Sequence, residues 1–479
     1  MAIAREQIES IVSEVLSQLD GVASAAPAAA PAMTAAATGD WGIFDELDDA
    51  VAAAKEAQAK IGTLAIRNKI IDIIRRAARN NARRLSEMAV EETGMGNVED
   101  KIAKTLLVAD RTPGTEVVSA EAITGDNGFT MIEKAPWGVI ASVTPSTNPG
   151  STVINNGISM IAAGNSVVFA PHPAAKRITQ EAIKIINKAV VAETGIANLL
   201  VAVKEPSIEA AKRLFTYDGI NLLVVTGGEA VVEAARKTTN KRLMAAGAGN
   251  PPVVVDETAD LARAAESIYT GASFDNNLIC ADEKEVIAVD SIADQLKAEM
   301  VKIGAYELTL EQANTIAQTV ILDYGTDKAR ANPKWVGRDA KKLAAIAGVT
   351  VPDTCKLLIV DAGRDSDYVF ATVEQMMPLI PVLRAHNFDE ALQWALKLER
   401  GLSHTAGLHS TNIHNMEKMA RETNTSLFVK NGPHVAGLGA GGEGWTSMTI
   451  STPTGEGVTN AATFTRIRRC CLVDSFRIV

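Results

Sequence analysis

Residues 138–170 read GVIASVTPSTNPGSTVINNGISMIAAGNSVVFA. An apolar run, 138–143, leads into a loop of Pro, Ser, Thr and Asn. A helix-patterned stretch, 151–163, and a second apolar run, 166–170, follow. Neither run alternates polar with apolar residues, so each reads as a strand buried on both faces, as in a parallel sheet. The unit then repeats. Helix patterns at 178–192, 208–215 and 229–237 alternate with apolar runs at 198–203 and 221–225. This rhythm predicts an α/β fold, a mostly parallel sheet with helices on both faces.

Upstream, 48–59 and 66–93 carry apolar residues at spacings of three and four and read as long helices. Residues 125–133, with an Asp-Asn-Gly turn, read as a hairpin. Downstream, a second α/β stretch spans about 252–425, and a Gly/Thr-rich segment ends in the strand-like run 466–479. At the N-terminus, Ile8, Ile11, Val12, Val15, Leu16 and Leu19 fall on one helical face. Residues 22–38 are almost wholly Ala, Pro, Ser and Thr and read as a linker. A short amphipathic helix on such a tether cannot bury its own stripe and needs a partner to dock on.

With 479 residues the chain is long enough for two large lobes. A net charge of −10 argues against nucleic acid as the partner, since phosphate recognition wants a basic surface. No apolar run reaches bilayer length, and Glu6, Glu9 and Glu14 break what a secretory signal would need. The four cysteines form no Cys-x-x-Cys pair and the histidines lack metal-ligand spacing, so no metal site is expected. Cys355, Cys470 and Cys471 read as small structural hydrophobes, and a reducing cytoplasm fits the cysteine usage.

Chemistry concentrates in 271–283, GASFDNNLICADE. Here Cys280 sits in an Asn-rich turn between a helix pattern at 261–269 and a strand pattern at 285–289, a setting for a covalent nucleophile. Asp282 and Glu283 would raise its pKa if they pointed inward, so they are expected to face away or to pair with a base. Asn148, stiffened between Pro145 and Pro149, is a candidate amide donor to a developing oxyanion, or else a helix cap. The turn Thr226-Gly227-Gly228 joins a strand to a helix and can present N–H groups to a phosphate, or can be merely a tight turn. Residues 437–442 match G-x-G-x-x-G, but a strand pattern follows where a helix is needed.

Taken together, Pro136-Trp-Gly-Val, Thr144-Pro-Ser-Thr-Asn-Pro, Ala170-Pro-His-Pro-Ala-Ala, Ala246-Gly-Ala-Gly-Asn-Pro-Pro and Phe274-Asp-Asn-Asn-Leu-Ile-Cys resemble the CoA-acylating branch of the aldehyde dehydrogenase superfamily. The resemblance runs from Trp41 to Val479. It is strongest to the acetaldehyde enzymes of ethanolamine utilisation and nearly as strong to the propionaldehyde enzymes of propanediol utilisation. It implies two Rossmann-like parallel-sheet lobes plus a β oligomerisation arm. The implied division is a targeting helix (1–20), a linker (21–40), an NAD(H)-binding domain (41–116 and 136–245), a catalytic domain (246–440), and an oligomerisation hairpin and strand (117–135 and 441–479). The implied reaction is acetaldehyde, CoA and NAD+ to acetyl-CoA and NADH, through a thiohemiacetal and a thioester on Cys280. Propionaldehyde, or hydrolysis to a free acid, are the alternatives.

The resemblance also implies that Thr144, Pro145, Ser146, Ala170, His172, Pro173, Thr226, Gly227, Gly228, Gly247, Ala248, Gly249 and Glu374 line the cofactor site, with His404 as an auxiliary group. Acid-forming relatives carry a water-activating Glu where this chain has Ala246, and a ribose-contacting Lys where it has Ala170. Without a positioned base, water attack on a thioester slows and a thiol acceptor takes over. A homo-oligomer, dimer or tetramer, is implied. So is a place in the cytoplasm inside a bacterial microcompartment, with the N-terminal helix docked on a shell or core protein. Neither nucleic acid nor membrane is an expected partner.

Overall fold

The structure is a computed structural model and describes residues 39–478. The expected N-terminal helix and all but the end of its linker lie outside the described residues.

The first sheet has six parallel strands in the spatial order Ile43–Phe44, Leu200–Val203, Ser166–Ala170, Val139–Val143, Leu222–Thr226, Arg242–Ala246. The chain builds outward from Val139–Val143 in one direction, then returns to lay Leu222–Thr226 on its other side. That reversal is a topological switch point, and the crevice at the carboxyl ends of such strands is where ligands of α/β sheets bind. Helices Leu47–Gln58, Leu64–Thr93, Pro149–Ala162 and Lys176–Thr194 supply apolar residues to its cores. Ile140, Val167, Phe169 and Val224 on the strands are fully buried, which explains why these strands show no polar alternation.

The second sheet has seven parallel strands, ordered Tyr306–Leu308, Leu358–Gly363, Leu379–Ala385, Glu285–Val289, Pro252–Val255, Thr405–His409, Leu427–Lys430. It too has a core on each face. Residues 247–251 alone link Ala246, the last residue of the first sheet, to Pro252, the first of the second. The carboxyl edge of one sheet is thereby tied to the amino edge of the other.

A third, antiparallel sheet joins Glu121–Gly125, Gly128–Pro136 and Thr465–Val473. Gly125 pairs with Gly128 across Asp126-Asn127, so the hairpin lies where the turn chemistry put it. Gly128 has φ +114°, and a Cβ there would sit 2.1 Å from the Leu472 carbonyl oxygen. Only glycine allows the C-terminal strand so close. Cys470 and Cys471 on that strand are exposed, not the buried hydrophobes expected, because the sheet leaves this part of the strand open to solvent. Cys355 is buried as expected. Among the described residues no helix is long and apolar enough to cross a membrane.

Phe169 is fully buried in the first sheet's core. Phe169→Ala should cost about 3–5 kcal/mol, while the volume-sparing Phe169→Leu should cost no more than about 1.5 kcal/mol. Thermal unfolding of the full chain checks both.

Candidate functional site

Helix Leu261–Ser273 begins at Asp260, whose side chain accepts from the Arg263 N–H at 3.1 Å. After Phe274 the chain makes three consecutive left-handed residues: Asp275 (φ +46°), Asn276 (φ +58°) and Asn277 (φ +64°). Left-handed backbone costs a non-glycine residue on the order of 1–2 kcal/mol. Asn and Asp bear it best because their side chains bond locally, and here each one is anchored.

Asp275 accepts from the Asn97 N–H (3.1 Å), from Lys101 Nζ (3.0 Å) and from Lys104 Nζ, while its own N–H donates to Asp100. Asn276 Nδ2 donates to the Gly337 carbonyl (2.9 Å) and to Asp339 (3.0 Å). Asn277 Nδ2 donates to the Ala272 and Glu283 carbonyls, both at 2.9 Å. The turn delivers Cys280, half-buried, against a small apolar cluster that includes Ile279, Ala281, Leu427 and Val435.

Burial first, and then the Glu374 carboxylate, push the Cys280 thiol up to about 12, against the pull of Lys284. Asp282 and Glu283 do not face away. Both are fully buried. The backbone requires it: Asp282 accepts from the Ile279 N–H at 3.1 Å, and Glu283 accepts from the His434 N–H at 2.8 Å. Desolvation pushes both carboxyls up to about 8, so around neutrality they are held largely as neutral acids.

Other predicted residues arrive from the amino edge of the second sheet. Gly249 lies three residues before Pro252, Glu374 five before Leu379, and His404 one before Thr405. A Cβ on Gly249 would sit 2.7 Å from the Cys280 carbonyl oxygen and 2.9 Å from His404 Cγ, so glycine lets these three segments touch. The Gly249 N–H donates to Glu374 Oε1 at 3.2 Å. His404 Nδ1 contacts Thr405 Oγ1 at 2.8 Å, and its buried Nε2 has no partner among the described residues. Burial drives its pKa down to about 4, so the ring is neutral near pH 7.

The carboxyl edge of the first sheet carries the rest. Thr144 follows strand Val139–Val143 and Ala170 ends the adjacent strand, and the two are bridged by the Thr144 N–H on the Ala170 carbonyl (3.1 Å). Pro145 and Ser146 follow in the same loop. Ala170 leads to His172, whose Nδ1 accepts from the Ala174 N–H, and to Pro173, which opens a short 3-10 turn. Thr226 ends the strand paired with Val139–Val143, and its hydroxyl meets that of Thr449 at 3.3 Å.

Gly227 and Gly228 lead into helix Glu229–Thr238. Gly228 caps that helix with no side-chain bond, and a Cβ on it would meet nothing within 4 Å. Open N–H groups at a helix start are what a pyrophosphate needs, so this turn fits a dinucleotide. Gly247 and Ala248 lie in the 247–251 link. Residues 437–442 begin within the 3-10 helix His434–Leu438 and no long helix succeeds them, consistent with setting them aside as a nucleotide loop.

Asn148 precedes helix Pro149–Ala162 without capping it through its side chain. Its Oδ1 is held by Lys104 Nζ, and its Nδ2 donates to Thr147 Oγ1 at 3.2 Å. Because Lys104 also grips Asp275, one buried lysine ties the Asn148 loop to the turn that carries Cys280. Sequence reasoning missed Lys101 and Lys104. Their one visible signal is lysine at three-residue spacing where helix Val98–Arg111 would otherwise be apolar on its inner face. Among the described residues no group of three or more His, Cys, Asp or Glu side chains could hold a metal ion.

Residues 26–467 match the aldehyde dehydrogenase family, and the chain belongs to it. It is 65% identical to an acetaldehyde dehydrogenase (acetylating) from Bilophila wadsworthia (strain 3_1_6), over 100% of both chains. The solved propionaldehyde dehydrogenase from the Clostridium phytofermentans fucose utilisation bacterial microcompartment is 44% identical. That match has a TM-score of 0.88, covering 92% of this chain and 100% of the other. The Rhodopseudomonas palustris propionaldehyde dehydrogenase, solved with bound CoA and an acylated cysteine, is 42% identical. Its TM-score is 0.87, covering 90% of this chain and 98% of the other.

Two predictions follow from the buried charges. Asp275→Asn leaves two buried lysines short of their carboxylate and should cost about 3–5 kcal/mol, read as a lowered unfolding transition. Glu283 has a folded pKa above its unfolded one. The native state therefore holds more protons between about pH 4.5 and 8, and Glu283 lowers stability as pH rises through that window, by about 1.4 kcal/mol per unit at most. Glu283→Gln removes this slope. The variant should gain stability relative to wild type as pH rises from 5 to 8 in parallel melts, and a constant difference would contradict it.

Proposed function

We propose that this chain is a CoA-acylating aldehyde dehydrogenase that converts acetaldehyde, CoA and NAD+ to acetyl-CoA and NADH, reversibly. One observation carries this reading. The thiol-bearing segment at Cys280 lies against the 247–251 link that joins the carboxyl edge of the first sheet to the amino edge of the second, and position 246, where acid-forming relatives carry a Glu, holds an alanine. The 65% identity to an acetylating acetaldehyde dehydrogenase favours acetaldehyde over propionaldehyde.

Cys280 Sγ, as thiolate, bonds to the aldehyde carbon and the C=O electron pair moves onto oxygen. Asn148 Nδ2 and the Cys280 N–H stabilise that oxyanion. Lys104 favours this by occupying the amide oxygen, which leaves to the substrate the Nδ2 hydrogen that Thr147 Oγ1 does not take. The dinucleotide, held by Thr226, Gly227, Gly228 and the 144–146 loop, supplies a hydride acceptor when bound. Loss of hydride from the former aldehyde carbon leaves a thioester on Cys280. The CoA sulfur then bonds to the acyl carbon, the bond to Cys280 breaks, and neutral His404 takes the CoA thiol proton on its free Nε2. Ala246 offers no carboxylate to activate water, so the thioester waits for a thiol.

Exposed Ile123, Ile467, Val473 and Phe476 on or beside the third sheet support homo-oligomerisation through that arm. The amphipathic pattern of 4–19 on its linker, and the microcompartment origin of a 44% identical enzyme, support a place in such a compartment through an N-terminal docking helix.

Cys280→Ala should abolish aldehyde-dependent NADH formation and leave NAD binding intact. Turnover that persisted with CoA would refute the assignment of nucleophile. Wild type given aldehyde and NAD+ without CoA should stall after one equivalent of NADH, whereas steady release of free carboxylate would point to the hydrolytic reading.

A further inference from the structure

Four consecutive charged residues, Asp282, Glu283, Lys284 and Glu285, have no exposure at all. The mechanism above uses none of them. Lys284 is the exceptional member. Its Nζ lies 2.5 Å from Asn277 Oδ1, 3.0 Å from the Asn277 carbonyl oxygen and 3.1 Å from the Ile279 carbonyl oxygen. Three acceptors around one nitrogen call for three N–H bonds, which is the ammonium form, since a neutral amine would aim its lone pair at an oxygen. None of these acceptors is charged, and no carboxylate lies within ion-pair distance of Nζ among the described residues. The carboxyls it acts on from beyond hydrogen-bond reach, Asp282, Glu283, Glu285 and Glu374, are all pushed up by burial toward their neutral forms, and a buried cation whose direct partners are all dipoles is costly unless an anion forms near it. The Ile279 carbonyl it grips is the peptide bond of Cys280.

We propose that Lys284 supplies the positive charge against which the Cys280 thiolate forms, and that the left-handed turn 275–277 serves to hold its ammonium on the peptide group that joins Ile279 to Cys280. The inference rests on the reading of Cys280 as nucleophile. In the step concerned, the S–H bond breaks and the proton leaves to solvent at the half-open thiol. The resulting S− is stabilised by the ammonium. The other groups around the thiol cannot do this. Glu374 and Asp282 oppose the anion, Glu283 and Glu285 are buried carboxyls, and His404 is a neutral ring. Asn277, in its left-handed conformation, offers both its carbonyl and its side-chain oxygen to the same nitrogen. Lys284 is thus a positioning residue that acts through the sulfur.

The test is the rate at which iodoacetamide alkylates Cys280 as a function of pH, followed by peptide mass in full-length Cys470→Ser/Cys471→Ser protein. Lys284→Met and Lys284→Gln should slow alkylation at pH 8 at least tenfold and move the midpoint of the profile up by a unit or more. Lys284→Arg should stay within about threefold of the parent. Neutral variants that fold and keep the parent's midpoint overturn the proposal. If neither folds, Asn277→Asp, which sets a carboxylate on the ammonium at the cost of the amide's two bonds to the Ala272 and Glu283 carbonyls, must slow alkylation in the same way, and an unchanged rate overturns the proposal equally. Failure here, with Cys280-dependent turnover intact, leaves the proposed reaction standing.

Discussion

The constraint on which the site depends is the left-handed run Asp275-Asn276-Asn277. Three residues in that region would not persist by themselves. They persist because every side chain in the run is tied down: Asp275 by two buried lysines and the 97–100 segment, Asn276 by the 337–339 segment, and Asn277 by Ala272, Glu283 and Lys284. Strain of this kind concentrates where geometry must be held against relaxation. Here it reverses the chain between a helix and a buried strand, and it leaves a thiol at the reversal.

The same anchors join the two large sheets. Lys104 and Lys101 come from a helix packed on the first lobe, and their carboxylate comes from the second. An ion pair shared across such a boundary contributes little net stability once desolvation is counted, but it fixes register. It sets the Asn148 amide and the Cys280 turn in one rigid frame, which electrostatic stabilisation of an oxyanion requires. The short link 247–251 performs the matching task along the chain. Gly249 lets the Cys280 carbonyl and the His404 ring meet across it.

Buried titratable groups surround the thiol in unusual number. Carboxyls pushed toward neutrality and imidazoles pushed toward the free base leave few net charges inside the pocket. In so dry a setting a single ammonium or amide dipole has a long reach, since little solvent screens it. That is the physical setting for thioester exchange: sulfur displaces sulfur, and Ala246 offers water no carboxylate.

Much of this was legible from residues alone. The apolar runs at 166–170 and 285–289 are strands with those bounds, and the helix pattern at 208–215 ends one residue short of the observed Ile208–Thr216. Periodicity reports burial, and in a two-faced sheet burial is nearly the whole of strand identity. Cys280 and Asn148 were visible because their residue types and turn contexts are chemically specific. The two-residue strand Ile43–Phe44 was invisible, since two residues carry no period. Nothing in the residue pattern singled out Lys101, Lys104 or Lys284, and Asp282 and Glu283 were expected to face away or to pair with a base, yet all five are buried. Chain order therefore determined the alternating layers, four strands of the first sheet and the candidate nucleophile. Tertiary structure alone decided which charges go inside, because the cost of burying a charge is settled by partners about 3 Å away in space, and those of Lys101, Lys104 and Glu283 lie 174, 171 and 151 residues away in sequence.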